Sequence, residues 1–280
     1  MSHHKSKFIN GLHIEIHQLN HFFEPVTKML LEHFDVPSHA DTLFILSSYC
    51  FIPIENFRKV LPGRKIVAFQ LEQMLDGNTH VNLENALLNL KFADEIWDYD
   101  EMNIGFLKKY HDIQVNRLVP MLYTKSLERP DLDWDNPEFD VIFYGLLNPR
   151  RLRIVDQLQR KLYGELKIAW VYGEHEMDKH ISNSKVVLNL HPFEPWNRQE
   201  QVRMFQPVIN GRTVVSEPSQ SNNMPGEIIE VPLEEMPERL KQICHTDEWR
   251  TFGREAREKF LKRTQGFLLS NNSWFSNETR

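Results

Sequence analysis

Short runs of apolar, β-favouring residues alternate along this chain with stretches whose apolar positions recur every three or four residues. Strand-like runs stand at Leu12–Ile16, Thr42–Leu46, Lys65–Phe69, Glu95–Trp97 and Asn116–Val119. Helical patterns stand among them at Phe22–His33, Leu83–Phe92 and Met102–Tyr110. Parallel neighbours need a crossover connection, usually a helix, so this alternation predicts an open α/β sheet. The polar, proline-bearing stretch Ser126–Pro137 (SLERPDLDWDNP) interrupts it with the composition of a linker. Beyond the linker, strands are expected at Phe139–Tyr144, Leu166–Val171, Lys185–Leu190 and Thr213–Ser216. Helices are expected at Pro149–Tyr163, Met177–Ser182, Arg198–Ile209, Leu233–Ile243 and Glu248–Arg263, before a polar tail that reads as frayed. The predicted fold class is therefore α/β, with two Rossmann-like lobes, 1–125 and 126–280, facing a cleft. In such sheets ligands sit at the C-terminal ends of the strands.

Composition changes this picture little. Of 280 residues, 41% are hydrophobic and 26% charged, enough for a core in each lobe. A formal net charge of −6 argues against a generally basic, nucleic-acid-seeking protein, although a local basic patch would suffice for such a partner. Cys50 and Cys244 are far apart with no ligand spacing, so neither a zinc site nor a disulfide is expected and a reducing, cytoplasmic setting is. The start MSHHKSKF has no signal-peptide core, and no apolar run approaches the roughly 20 residues of a membrane span.

The candidate chemistry lies after the strands of the second lobe. In YGLLNPRRLR the strand stops at Gly145, Asn148 and Pro149 open a helix, and Arg150 and Arg151 sit in its first turn. Cations there oppose the helix dipole unless an anion offsets them, which makes phosphate binding attractive. The plainer reading is a basic solvated helix, since from Arg150 to Lys167 six basic residues face two acidic ones. Further on, a strand delivers Asn189 and His191 to its C-terminal edge, a helix carries Glu200 and Arg203, and the next strand delivers Ser216 and Glu217. Glu200 and Arg203 are three apart and either share a ligand or form an ordinary surface pair. Gly173, before His175, suits a turn close to a ligand. In the first lobe Glu72, beside Gln70 and Gln73, follows a strand. It is either a general base for an acceptor hydroxyl or a helix cap or ion-pair partner. The D-x-D triplet at Asp98 and Asp100 suggests a metal site less than a helix cap at Asp100, and the same spacing recurs at Asp131, Asp133 and Asp135. No metal is expected.

The stretches YGLLNPRR, SKVVLNLH followed by EQVRMFQPVINGRTVVSE, FQLEQM and EIWDYDEMNI resemble group-1-like glycosyltransferases of the GT-B fold, over Lys65 to Glu217. The resemblance implies an enzyme whose C-terminal lobe binds a nucleotide sugar as substrate, with no tightly bound cofactor. Glu200 would reach the ribose or the donor sugar, and Arg150, Arg151 and Arg203 would hold the diphosphate. The sequence departs from the family's E-x7-E pattern: across seven intervening residues Glu194 faces Val202 and Glu200 faces Val208. The expected acceptor is a hydroxyl, on a glycan or another molecule. The alternatives are a hydroxymethylated DNA base, as for phage-type transferases, and a nucleotide-binding module without catalysis. No G-x-G-x-x-G, Walker A or G-x-S-x-G motif is present, which counts against dinucleotide, P-loop and hydrolase chemistry.

Overall fold

The computed structural model describes residues 3–9, 12–18, 23–34, 42–46, 54–60, 62–74, 83–129, 136–171, 177–193, 198–221 and 223–271. By its internal contacts the chain separates into a first unit reaching Met121 and a second, Leu122–Ser270.

The first unit holds a six-stranded sheet in the order β1-β2-β3-β4-β5-β6. The hairpin β1 (His3–Ile9) and β2 (Leu12–Gln18) is antiparallel. From β2 onward, through β3 (Thr42–Leu46), β4 (Lys65–Gln70), β5 (Glu95–Asp98) and β6 (Arg117–Leu118), every pairing is parallel. The helices α1 (Glu24–His33), α2 (Ile54–Val60), α3 (Leu83–Lys91) and α4 (Glu101–His111) supply the crossovers. Ile45, Ile66, Ala68 and Ile96 from the sheet pack with Ile54, Leu90, Phe106 and Leu107 from the helices. Asp100 caps α4 by accepting from Met102 N at 2.9 Å, and Asp98 accepts from Asp100 N at 2.9 Å. Both carboxylates of this D-x-D are buried, and these bonds are those of a capping device. Asp131, Asp133 and Asp135 lie outside the described residues.

The second unit holds a five-stranded, all-parallel sheet in the order β11-β10-β9-β7-β8. Its strands are β7 (Phe139–Tyr144), β8 (Ile168–Val171), β9 (Ser184–Asn189), β10 (Thr213–Ser216) and β11 (Ile229–Glu230). Its helices are α5 (Pro149–Lys161), α6 (Met177–Ser182), α7 (Gln201–Ile209), α8 (Met236–His245) and α9 (Glu248–Ser270). Central strands covered on both faces read as continuous apolar runs, and β9 and β10 are buried at almost every position. Val141, Phe143, Val186, Leu188 and Val215 pack against Val155, Leu158, Leu240 and Ile243.

The stretch entering this unit is stitched to it by hydrogen bonds. Tyr123 N donates to Thr264 Oγ1 at 2.7 Å. Asn210 accepts from Arg129 N at 2.8 Å and donates to Leu127 O at 3.0 Å. Asn210, the C-cap of α7, thus holds both the helix end and the incoming chain. Cys244 is a free thiol in this core, and burial pushes it up to about 12, so it is inert as a nucleophile at neutral pH. Cys50 lies outside the described residues. Among the described residues, no helix is long and apolar enough to cross a membrane.

Candidate functional site

At the C-terminal edge of the second unit's sheet, β7, β9 and β10 each end in a polar residue or a glycine, and α5 and α7 start beside them. Asn148 is the N-cap of α5: its Oδ1 accepts from Arg151 N at 2.9 Å and its Nδ2 donates to Pro192 O at 2.5 Å. One amide therefore fixes the helix start to the segment leaving β9. With α5 so placed, its two first-turn arginines reach opposite carboxylates.

Arg150 makes a two-pronged contact with Glu217 (Nη1–Oε1 2.9 Å, Nη2–Oε2 2.5 Å) and also donates to His191 O at 2.8 Å. Arg151, only 4% exposed, donates from Nε to Leu190 O at 2.8 Å, from Nη1 to Leu146 O at 3.3 Å, and from Nη2 to both oxygens of Glu200 at 3.0 and 3.2 Å. Glu200 also accepts from Arg203 Nε at 2.8 Å. The anions that offset the arginines at the start of α5 are thus the protein's own carboxylates. Among the described residues, three guanidiniums converge here on two carboxylates. Burial would raise the Glu200 carboxyl, but the charges of Arg151 and Arg203 outweigh it and hold it down at about 2. Burial lowers Arg151 to about 10, against the attraction of Glu200, so both groups are ionised at neutral pH.

The remaining expected residues complete the rim. Glu217 Oε1 accepts from His191 N at 2.7 Å, and the His191 ring Nε2 lies 3.1 Å from Pro218 O. Asn189 Nδ2 donates to Ser216 Oγ at 2.9 Å, tying β9 to β10, and the Ser216 hydroxyl donates to Glu217 O. Gly145 ends β7 with φ +120°, in a region that favours glycine. Arg203 Nη1 fills the space a side chain would take: it donates to Tyr144 O, and a Cβ placed on Gly145 would lie 2.0 Å from it. Tyr144 in turn donates its hydroxyl to Arg203 O. Gly173 lies outside the described residues, as does Glu194. Glu72 belongs to the first unit, where its carbonyl accepts from Asn103 Nδ2 at 2.8 Å and Gln70 Nε2 at 3.1 Å.

Two participants escaped the sequence reading. Tyr144 gives no signal beyond preceding Gly145, although it clasps Arg203 through both its hydroxyl and its carbonyl. Trp170 reads as one more apolar strand residue, yet its indole Nε1 lies 3.4 Å from Gly145 O. The tight Gly145–Arg203 packing carries a prediction. Gly145→Ala should cost about 1–3 kcal/mol from the backbone conformation alone. It should also move the Arg203 guanidinium off Tyr144 O, because the flexible side chain yields before the strand does. Chemical denaturation checks the first effect. A crystal structure of the variant with Arg203 unmoved would refute the second.

No protein-family profile matches the sequence, and no curated protein matches it significantly. Solved structures do. TarM superposes with a TM-score of 0.58 at 11% identity, covering 84% of this chain and 55% of TarM. The S. aureus TarM structure with fondaparinux, alpha-GlcNAc-glycerol and UDP gives 0.57 at the same identity. The Anabaena protein HepE, in complex with UDP and glucose, gives 0.58 at 12% identity, covering 83% of this chain and 78% of HepE. The chain thus spans little more than half the length of TarM. Two separate, largely parallel α/β sheets and the superpositions agree on one architecture: the chain has the GT-B fold.

Proposed function

We propose that the chain is a glycosyltransferase that binds the diphosphate of a nucleotide-sugar donor at the rim formed by Gly145, Arg150, Arg203 and the ends of β9 and β10. The observation that carries this reading is the convergence, among the described residues, of three arginines on two carboxylates at the C-terminal strand edge. Structures of the same fold hold UDP, UDP-glucose or UDP with sugars, which supports a nucleotide diphosphate as the anion.

Within this reading the residues divide the work. Arg203 and Arg150 meet the diphosphate and stabilise the negative charge that develops on it as the bond to the sugar breaks. Arg151, buried and engaged by two carbonyls and Glu200, is a positioning residue that aims Glu200. Ionised Glu200 accepts hydrogen bonds from hydroxyls of the ribose or the donor sugar, while His191, Asn148, Ser216 and Glu217 hold the strand ends in place. For an inverting transfer we assign the general base for the acceptor hydroxyl to Glu72; a glycan as the acceptor is supported by the TarM structure that holds fondaparinux. The donor is a substrate, and no resident cofactor or metal enters the scheme.

A thermal-shift and calorimetric screen against UDP, GDP, ADP and their sugars tests the reading. A ligand at 100 times its Kd stabilises the fold by about 2.7 kcal/mol. Arg203→Ala should weaken the best nucleotide diphosphate by about tenfold or more, because charge-assisted contacts are the strong ones. No stabilisation by any nucleotide, or unchanged affinity in this variant, refutes the assignment.

A further inference from the structure

We propose that Trp170, with Leu146 beside Gly145, is the platform on which the heteroaromatic base of the nucleotide stacks, an assignment that rests on the nucleotide-sugar reading above. Trp170 lies on β8, the edge strand of the second unit's sheet, and pairs in register with Phe143 of β7. Phe143 is fully buried under the guanidiniums of Arg151 and Arg203, which lie 5.7 and 5.9 Å from its ring. One strand further out, Trp170 remains 44% exposed, and Leu146, at the turn after β7, is 50% exposed.

Isolated exposed apolar residues are ordinary. What sets this pair apart is its attachment to the cationic rim. The Trp170 indole donates to Gly145 O, while Arg203 Nη1 occupies the space against the Gly145 Cα and donates to Tyr144 O. A planar apolar ring and a guanidinium therefore touch neighbouring peptide groups of the same turn. A nucleoside diphosphate has the matching arrangement, an anion and a planar ring joined through one ribose. The indole is held by its hydrogen bond before any ligand arrives, so little ordering is required for it to receive a base. Leu146 is kept in place because its carbonyl accepts from Arg151 Nη1. An anion alone would gain nothing from the pair.

The test compares inorganic pyrophosphate with UDP, GDP and ADP by calorimetry on the full chain and on Trp170→Ala and Trp170→Phe. Loss of a base–aromatic stack weakens binding by about 5- to 150-fold. Trp170→Ala should show a loss of that size for the tightest nucleotide and leave pyrophosphate within about twofold, while Trp170→Phe should stay close to the parent. Circular dichroism and melting of each variant confirm its folding. Equal weakening of pyrophosphate and nucleotide in Trp170→Ala, or no weakening of either, overturns the stacking platform while leaving the anion site standing. Absence of binding by all four probes to the parent chain overturns the donor site itself and the platform with it.

Discussion

Gly253→Ala is expected to destabilise the second unit by at least about 2 kcal/mol, although helix propensity alone favours the change. Alanine in a helix interior is better than glycine by about 1 kcal/mol, and Gly253 sits inside the 23-residue α9. Packing opposes this. A Cβ on Gly253 would lie 2.0 Å from Gly211 O, 2.8 Å from Gly211 C and 3.3 Å from Thr213 N, all backbone atoms that no rotamer change can move. Nor can α9 slide away freely. Trp249 O accepts from Thr213 Oγ1 at 2.6 Å, and Arg257 Nε donates to Ile209 O at 2.8 Å, fixing the helix against α7 and β10 on both sides of the contact. Overpacking typically costs about 1–3 kcal/mol, more where the neighbours are rigid. The clash outweighs the propensity gain, and the melting temperature should fall by about 5–10 °C. An unchanged or higher midpoint would mean that α9 does not approach the turn after α7 so closely.

That glycine illustrates which parts of the fold were open to a reading of sequence. Strands such as Phe139–Tyr144 and Thr213–Ser216 announce themselves because covered parallel strands are uniformly apolar, and the Asp100 cap because capping is local. β1 escaped because HHKSKFI is largely polar and lacks the apolar run by which other strands were read. α2 and β11 escaped because they are only seven and two residues long. The helix expected from Arg198 begins instead at Gln201, since Gln199 Oε1 is drawn away to accept from Asn223 N and Met224 N at 2.6 and 2.9 Å. The candidate residues were legible as strand-end and helix-start positions. Their pairing was not: Arg150 meets Glu217 across 67 positions and Arg151 meets Glu200 across 49, and no local rule selects those partners. For the same reason sequence alone offered the arginines an external anion, where the fold supplies two internal ones.

Glu200→Gln removes the carboxylate on which Arg151 and Arg203 converge, and its stability and binding consequences separate. Glu200's side chain is 18% exposed and Arg151's only 5%, so the lost charge leaves two guanidiniums facing each other in a largely dry site. Removing one member of a buried ion pair costs about 3–5 kcal/mol, and the partial exposure of Glu200 places this variant near 3. The pH profile carries the same signature. The folded carboxyl titrates at about 2, below the roughly 4.3 of an unfolded glutamate. The unfolded chain therefore binds the proton more readily. The stabilisation is complete above the unfolded value and disappears as pH falls from about 4.5 toward 2. In Glu200→Gln that part of the acid-side slope should vanish; a profile parallel to the parent's would show that Glu200 is not the group held by the arginines. Binding moves the other way. Loss of a negative charge raises the net charge of the rim, so inorganic pyrophosphate should bind the variant at least as tightly as the parent. A nucleotide sugar, deprived of its hydroxyl acceptor, should bind more weakly. If both ligands weaken together, Glu200 acts only by holding Arg151 and Arg203 in place and contacts no hydroxyl of the donor.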